Sequence, residues 1–198
     1  DTTRAQYLLA MATEARLVAE RDQRPDIGFP DEVTAAAQTD PDLSAALVVQ
    51  QQLLAARRSA LHSEIGVLER SIQGQQDLLA SVRESQSNKR QQQRLLQEQI
   101  EHSRDLARDG FMPRNRLLEL ERNLAQIAAL VSDDAGTLAQ ANSQISELRL
   151  RVLQTQQNFQ RDVREQLAAV KGEVAAQRSR LEGLDHDVIH SQVRAPVD

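Results

Sequence analysis

The chain is poor in the residues on which compact cores and thiol chemistry depend. It has 198 residues with no cysteine and no tryptophan, and aromatic residues make up 2% of it. Without cysteine, neither a disulfide framework nor a thiolate nucleophile is available. Aromatic side chains supply much of the buried area of compact cores, so three phenylalanines and one tyrosine are too few for a thick single core. We therefore do not expect a globular enzyme.

The sequence also lacks a long apolar run and a surplus of positive charge. No run approaches the ~18 consecutive apolar residues of a membrane-spanning helix, and no signal-peptide pattern opens the chain. The net charge is −5, with acids and bases interspersed, whereas a nucleic-acid-binding protein carries a basic patch or stripe. We expect no nucleic-acid partner, and either a soluble protein or a portion of a longer one.

Helix-forming residues dominate what is present. The chain is rich in alanine, leucine, glutamine and arginine, which is typical of long helices and coiled coils. Over residues 1–23, apolar side chains recur every three or four residues, as at Leu8, Met11 and Ala15, which predicts a first amphipathic helix. The prolines and the glycine that follow predict a loop over residues 24–41.

Two long segments with a heptad pattern come next. Residues 42–109 contain no proline, and their apolar residues fall on two positions of a seven-residue repeat. The same pattern returns over residues 114–185. We therefore predict two long helices over these ranges, separated by a tip of residues 110–113. Heptad residues of the first helix include Leu47, Leu54, Leu61 and Leu68, and those of the second include Leu117, Leu124, Val131 and Leu138.

The two long helices are predicted to fold back on each other. If the chain reverses within residues 110–113, apolar residues meet along almost the whole length, as in the pair Ile72 and Val152. The facing charged pairs are Lys89 with Asp134 and Arg90 with Asp133. We therefore predict an all-α fold, a long antiparallel two-helix coiled-coil hairpin. The N-terminal helix is expected to pack at its base, and a short β-like tail is expected at the C-terminus.

The tail, residues 186–198, changes from a helical to a strand-like pattern. Val188, Ile189 and Val193, together with Pro196, are typical of a short strand. Because the segment ends abruptly, we expect it to be the start of a truncated β domain.

Candidate chemical sites are weak. His186 and His190 have the spacing of two zinc ligands on a helix, but the H-E-x-x-H motif is missing. Asp133 and Asp134 form a pair of carboxylates, yet a two-helix hairpin offers no water-excluding pocket of the kind that catalytic carboxylates occupy. No glycine-rich phosphate loop or nucleophile elbow occurs. We expect no metal, no cofactor and no catalytic residue, and hence no enzyme.

The stretch LARDGFMPRNRLLE, residues 106–119, interrupts the helical pattern. A turn needs Gly110 as a left-handed helix cap and Pro113 in a first helical turn. It does not need Phe111 and Met112, which are better explained as an exposed docking surface than as core. The predicted partner-binding residues are Leu106, Arg108, Gly110, Phe111, Met112, Pro113 and Arg114.

The hairpin with its glycine-aromatic tip, and the tail VRAPVD, residues 193–198, resemble the periplasmic adaptors, or membrane fusion proteins, of the HlyD family. The tail is similar to the strand that re-enters the lipoyl domain in that family, where the hairpin is inserted between the two lipoyl halves. The resemblance implies the hairpin portion of a type I secretion adaptor, anchored in the bacterial inner membrane by a segment absent from this chain.

The resemblance also implies partners in the periplasm. These are an inner-membrane ABC exporter, a TolC-like outer-membrane duct and further copies of the adaptor, whose hairpins pack side by side into a tube. The family's tip motif has an arginine, then a leucine, then a serine or threonine. Here the leucine is Leu106, but His102 and Pro113 stand at the other two positions, so Arg104 or Arg108 would replace the arginine.

Two alternatives remain open from the sequence. One is a multidrug-efflux adaptor of the same family. The other is a non-enzymatic cytoplasmic coiled-coil scaffold or tether, in which the tip is only a turn. A lipoyl domain and a membrane helix in the full-length protein would distinguish the adaptors from the scaffold.

Overall fold

The described residues form four helices joined by short loops, which confirms the all-α fold class and the hairpin. A computed structural model describes the backbone of residues 2–191 and the side chains of residues 2–184. Its helices are α1 (Thr2–Arg21), α2 (Asp31–Ala37), α3 (Pro41–Arg108) and α4 (Arg114–Ser191). Within residues 2–191 there is no strand, and no helix there has the length and apolarity that crossing a membrane requires.

The loop predicted for residues 24–41 is wrong over Asp31–Ala37, because these seven residues form α2. Pro30 immediately precedes the helix with φ −59°, so a proline that suggested a loop instead favours a helix start. The first turn is acidic, which complements the helix dipole. Val33 is fully buried and packs with Leu8 of α1. This packing stabilises a helix too short to form alone.

The β-like tail predicted for residues 186–198 is wrong over its first part. α4 continues as helix to Ser191, and residues 192–198 lie outside the described residues. Extending an existing helix adds one hydrogen bond per residue, whereas nucleation is the costly step. Val188 and Ile189 lower helix propensity only slightly, and no proline occurs between Pro113 and Pro196.

The chain divides into two compact units. Unit 1 comprises Asp1–Ile65 and Gln154–Asp198, and unit 2 comprises Gly66–Leu153. Both long helices contribute to each unit, whereas α1 and α2 belong to unit 1 alone.

In unit 1, α1 packs against both long helices. Leu17 of α1 is fully buried with Val163 of α4. Ala19 of α1 packs with Leu54 of α3 and with Ile27 of the following loop. Because each fully buried aliphatic side chain contributes roughly 1.5–3 kcal/mol, a few such contacts hold α1 in place.

A series of charged side chains also joins the three helices of unit 1. Arg16 and Glu20 of α1 are buried and form an ion pair, and Arg16 Nε donates to Gln50 Oε1 of α3 at 2.7 Å. Arg57 of α3 lies between α1 and α4, with Nε 3.0 Å from Glu20 Oε2 and Nη2 2.7 Å from Asp162 Oδ2. The hydrogen bond from Arg57 lowers the pKa of the Asp162 carboxyl. Because a buried charge without its partner is costly, this network favours one register of α1.

Unit 2 is an antiparallel pair formed by α3 and α4. Leu79 of α3 is buried with Ala141 and Ile145 of α4. Closer to the tip, Lys89 Nζ lies 2.8 Å from Asp134 Oδ2, which confirms that predicted charge pair and the register around it.

Near this ion pair, the unit 2 interface contains a buried glutamine, and a second predicted ion pair does not form. Gln86 is buried, and its Nε2 donates to the backbone carbonyl of Val131 at 3.2 Å. Arg90 and Asp133, predicted to face each other, are both exposed and form no ion pair with any residue whose side chain is described. The interface therefore holds one well-formed ion pair at this level rather than two.

Candidate functional site

The backbone of the tip forms a hydrogen-bonded turn at the end of α3. α3 ends at Arg108, and Gly110 has φ +82°. The N–H of Phe111 donates to the carbonyl of Leu106 at 2.9 Å, and the N–H of Gly110 donates to the carbonyl of Ala107 at 3.4 Å. This is the Schellman pattern of a left-handed C-cap. The hydrogen bonds that close the turn are therefore made by main-chain atoms. The left-handed conformation of Gly110 agrees with the sequence prediction.

The apolar side chains of the tip face solvent. Phe111 is 82% exposed and Leu106 is 47% exposed, while Met112 is half-buried. Leu118, in the first turns of α4, is also exposed and was not predicted as a site residue. Since the cap uses only backbone groups, the turn does not require the Phe111 ring. These exposed apolar side chains make the tip a candidate interaction surface.

The charges of the tip are largely balanced. Arg108 is exposed, with Nη2 3.2 Å from Asp105 Oδ1 and Nε 3.6 Å from Asp109 Oδ1. Arg116 Nη1 lies 2.7 Å from Glu119 Oε2. These exposed ion pairs are individually weak, but they leave the tip with little net charge. The arrangement favours an apolar contact over electrostatic attraction.

Either Arg104 or Arg108 was predicted to replace the arginine that is missing from the family motif. Arg104 Nη2 lies 3.0 Å from Glu121 Oε1 and so links α3 to α4. Arg108 contacts only acids at its own end of α3. Arg114, a predicted site residue, is exposed and has no ion-pair partner within residues 2–184, and Pro113 accepts from the N–H of Arg116 at 3.0 Å.

The described side chains contain no group of three histidine, aspartate or glutamate residues placed to hold a metal ion. His186 and His190 lie on the helical backbone of α4, but their side chains are outside the described set.

A family of known hairpins matches almost the whole chain. The sequence model of the family described as AprE, long alpha-helical hairpin, matches residues 1–187.

Individual relatives are secretion proteins by name. The chain is 36% identical over 197 residues to the alkaline protease secretion protein AprE of Pseudomonas aeruginosa, which covers 100% of this chain and 45% of AprE. It is 32% identical over 193 residues to the proteases secretion protein PrtE of Dickeya chrysanthemi, covering 98% of this chain and 43% of PrtE. The chain thus spans less than half the length of both relatives.

A solved structure has the same fold. The crystal structure of the soluble domain of LipC, a membrane fusion protein of a type I secretion system, matches with a TM-score of 0.94 at 35% identity. The match covers 100% of this chain and 74% of the LipC chain.

Proposed function

We propose a function from one premise: the chain belongs to the AprE family of long α-helical hairpins. Its relatives are named for protease secretion, and LipC is a membrane fusion protein of a type I secretion system. In our proposal this chain is the hairpin portion of a periplasmic adaptor subunit in type I protein secretion. The adaptor bridges an inner-membrane ABC exporter and a TolC-like outer-membrane duct.

The rest of the adaptor lies outside this chain in the proposal. A membrane segment elsewhere in the full-length protein anchors it in the inner membrane, and the full-length protein also contains a lipoyl-like β domain. The role assigned is assembly, so no reaction, metal or cofactor is proposed.

The observation that carries the proposal is the exposure of Phe111, 82% of which faces solvent. Burying an aromatic ring of this kind on a partner stabilises a complex by roughly 1.5–3 kcal/mol, and nothing in the turn itself needs the ring. With Met112 next to it in sequence and Leu106 at the end of α3, Phe111 supplies an apolar contact at the end of two stiff helices. We assign this contact to the duct.

A single tip makes a small interface, so several tips must act together. Leucines exposed on both helices of unit 2 suit hairpins that pack side by side into a tube; they include Leu78, Leu95, Leu130 and Leu150. When several linked tips engage one duct, each later contact is intramolecular and the effective concentration rises. Individually weak contacts are then sufficient to hold the adaptors on the duct.

The two alternatives fit less well. A cytoplasmic scaffold needs a turn but no exposed phenylalanine. A multidrug-efflux adaptor shares the hairpin, but the relatives are named for type I systems and protease secretion. Both observations favour the type I secretion adaptor.

The proposal is tested by placing a charge at Leu106 in the full-length adaptor. We expect Leu106→Glu to abolish secretion of the system's cargo, because a carboxylate cannot be buried on an apolar partner without a large desolvation cost. The side chain is 47% exposed in the free hairpin, so the free energy of unfolding should change by less than about 0.5 kcal/mol.

The matched control is Leu184→Glu, since Leu184 is 51% exposed on α4 in unit 1. It introduces the same charge outside the tip and should leave secretion near the wild-type level. Cargo in the medium is measured beside circular dichroism of the purified chain. Full secretion by a well-folded Leu106→Glu adaptor would show that the tip is an ordinary turn and not a docking surface.

A further inference from the structure

Unit 1 contains a cleft of about 880 Å³. Its walls come from the end of α1 and the loop after it, from α3 around Arg58 to Ile65, and from α4 around Gln156 to Arg164. It shares no residue with the tip, which belongs to unit 2.

Two acids close to the cleft, Glu20 and Asp162, are already neutralised. Glu20 lines the cleft, but its side chain is fully buried between Arg16 and Arg57. Asp162 accepts hydrogen bonds from Arg57 at 2.7 Å and from Gln166 at 2.9 Å. Two carboxylates and two guanidiniums therefore cancel, and the network contributes no net charge to the cleft.

The cleft nevertheless carries two further arginines. Arg58 and Arg164 both line it and are both exposed. Arg164 Nε donates to the carbonyl of Gln160 on its own helix at 3.0 Å, which leaves the two terminal nitrogens of its guanidinium available. Neither arginine forms an ion pair with the side chains of residues 2–184. In a chain of net charge −5, this is a local surplus of positive charge.

The floor of the cleft is apolar. Leu61, Ile65 and Phe159 line it and are half-buried. The ring of Phe159 is fixed from one side, because the Arg57 guanidinium stacks over it at 5.5 Å from the ring centroid. Glutamine amides of α4, Gln156 and Gln157 among them, also line the cleft. Amides both donate and accept hydrogen bonds, as a peptide backbone requires.

We propose that this cleft binds an acidic, leucine-containing polypeptide segment of a partner protein. A carboxylate of the segment pairs with Arg58 and Arg164, whose planar guanidiniums suit bidentate recognition, and an apolar side chain packs between Leu61 and Phe159. A small inorganic anion would leave that apolar floor uncovered. The volume also lies within the roughly 300–1,000 Å³ typical of pockets that enclose larger organic ligands.

The binding test uses the 198-residue chain and a fluorescein-labelled eight-residue peptide of alternating aspartate and leucine. Fluorescence anisotropy at low salt should show saturable binding of this peptide, and no binding of the same peptide with lysine in place of aspartate. Arg58→Gln and Arg164→Gln should each weaken binding by about tenfold, the loss of one charge-assisted hydrogen-bonded pair.

The matched control is Arg161→Gln. Arg161 is an exposed arginine of the same helix that does not line the cleft, so its replacement should change the affinity by less than about twofold. Because all three arginines are exposed, circular dichroism should show unchanged helicity.

Three outcomes would overturn the proposal. The first is an affinity loss for Arg161→Gln equal to that for Arg58→Gln, which indicates nonspecific attraction. The second is displacement of the peptide by inorganic phosphate but not by chloride at equal ionic strength, which indicates a simple anion site. The third is no binding of the acidic peptide at all. None of these results bears on secretion through the tip, so the two proposals fail independently.

Discussion

Replacing Gly110 tests whether the tip is held by its left-handed backbone. Gly110 has φ +82°, and a Cβ built on it meets no atom within 4 Å. Gly110→Ala therefore introduces backbone strain without a clash. A left-handed conformation costs an L-residue roughly 1–2 kcal/mol, so the free energy of unfolding should fall by about 1 kcal/mol. Gly110→Val should lower the free energy of unfolding further, because β-branched side chains tolerate positive φ least.

Gly136→Ala is a matched substitution that should have the opposite effect on the free energy of unfolding. Gly136 lies within α4 of the same unit, and a Cβ there also meets no atom within 4 Å. Its φ is not positive, so alanine fits the helical backbone. Gly136→Ala should raise the free energy of unfolding by roughly 0.5–1 kcal/mol, the difference in helix propensity between the two residues.

Thermal unfolding followed by circular dichroism at 222 nm measures both variants. A change of about 1 kcal/mol shifts the Tm of a chain of this size by about 2–4 °C. We expect Gly110→Ala to melt below the wild type and Gly136→Ala above it. If both substitutions stabilise the chain, Gly110 is not required to hold a left-handed cap, and the account of the tip backbone is wrong.

Three other predictions follow from the packing. Cysteines replacing Ile72 and Val152 should form a disulfide within one molecule, because facing core positions bring Cβ atoms within reach, whereas cysteines replacing Ile72 and Leu124 should not; the opposite result would contradict the register. Chymotrypsin should cut first after Phe111, which is 82% exposed in a turn, and first cleavage inside a helix would argue against this. Arg57 lowers the pKa of Asp162, so Asp162→Asn should destabilise the chain at pH 7. The difference from wild type should shrink as the pH falls below about 4, where the carboxyl of the unfolded chain takes up a proton, and should vanish only below the lowered pKa of the folded state; a difference that does not shrink between about pH 4 and pH 2 would show that the charge is not its cause.

The heptad pattern predicted the long helices because burial along a helix pair repeats with a fixed period. It also identified the pairing of Lys89 with Asp134, since one assumed turn position fixes every facing residue in an antiparallel pair. The same approach missed α2, because a helix of seven residues is too short to show periodicity. Its formation depends on the burial of Val33 against residues distant in sequence.

The charged network of unit 1 was equally invisible in the sequence. Glu20 and Asp162 are separated by most of the chain, and no motif relates them to Arg57. Their contact exists only because α1 packs on both long helices, a tertiary arrangement that local patterns do not specify. The cleft beside the network was missed for the same reason. For the tip, by contrast, the cap geometry followed from Gly110, which the turn needs, and the exposure of Phe111 followed from a residue type that a simple turn does not need.

The central claim, that the tip contacts the outer-membrane duct, is tested most directly by photo-crosslinking in secreting cells. A benzophenone-bearing amino acid replaces Phe111 in the full-length adaptor, and the same amino acid at Leu184, which is 51% exposed, serves as the control. We predict an ultraviolet-dependent adduct between adaptor and duct from position 111 and none from position 184. Absence of the adduct from position 111 in cells that still secrete, or equal adducts from both positions, would contradict the account.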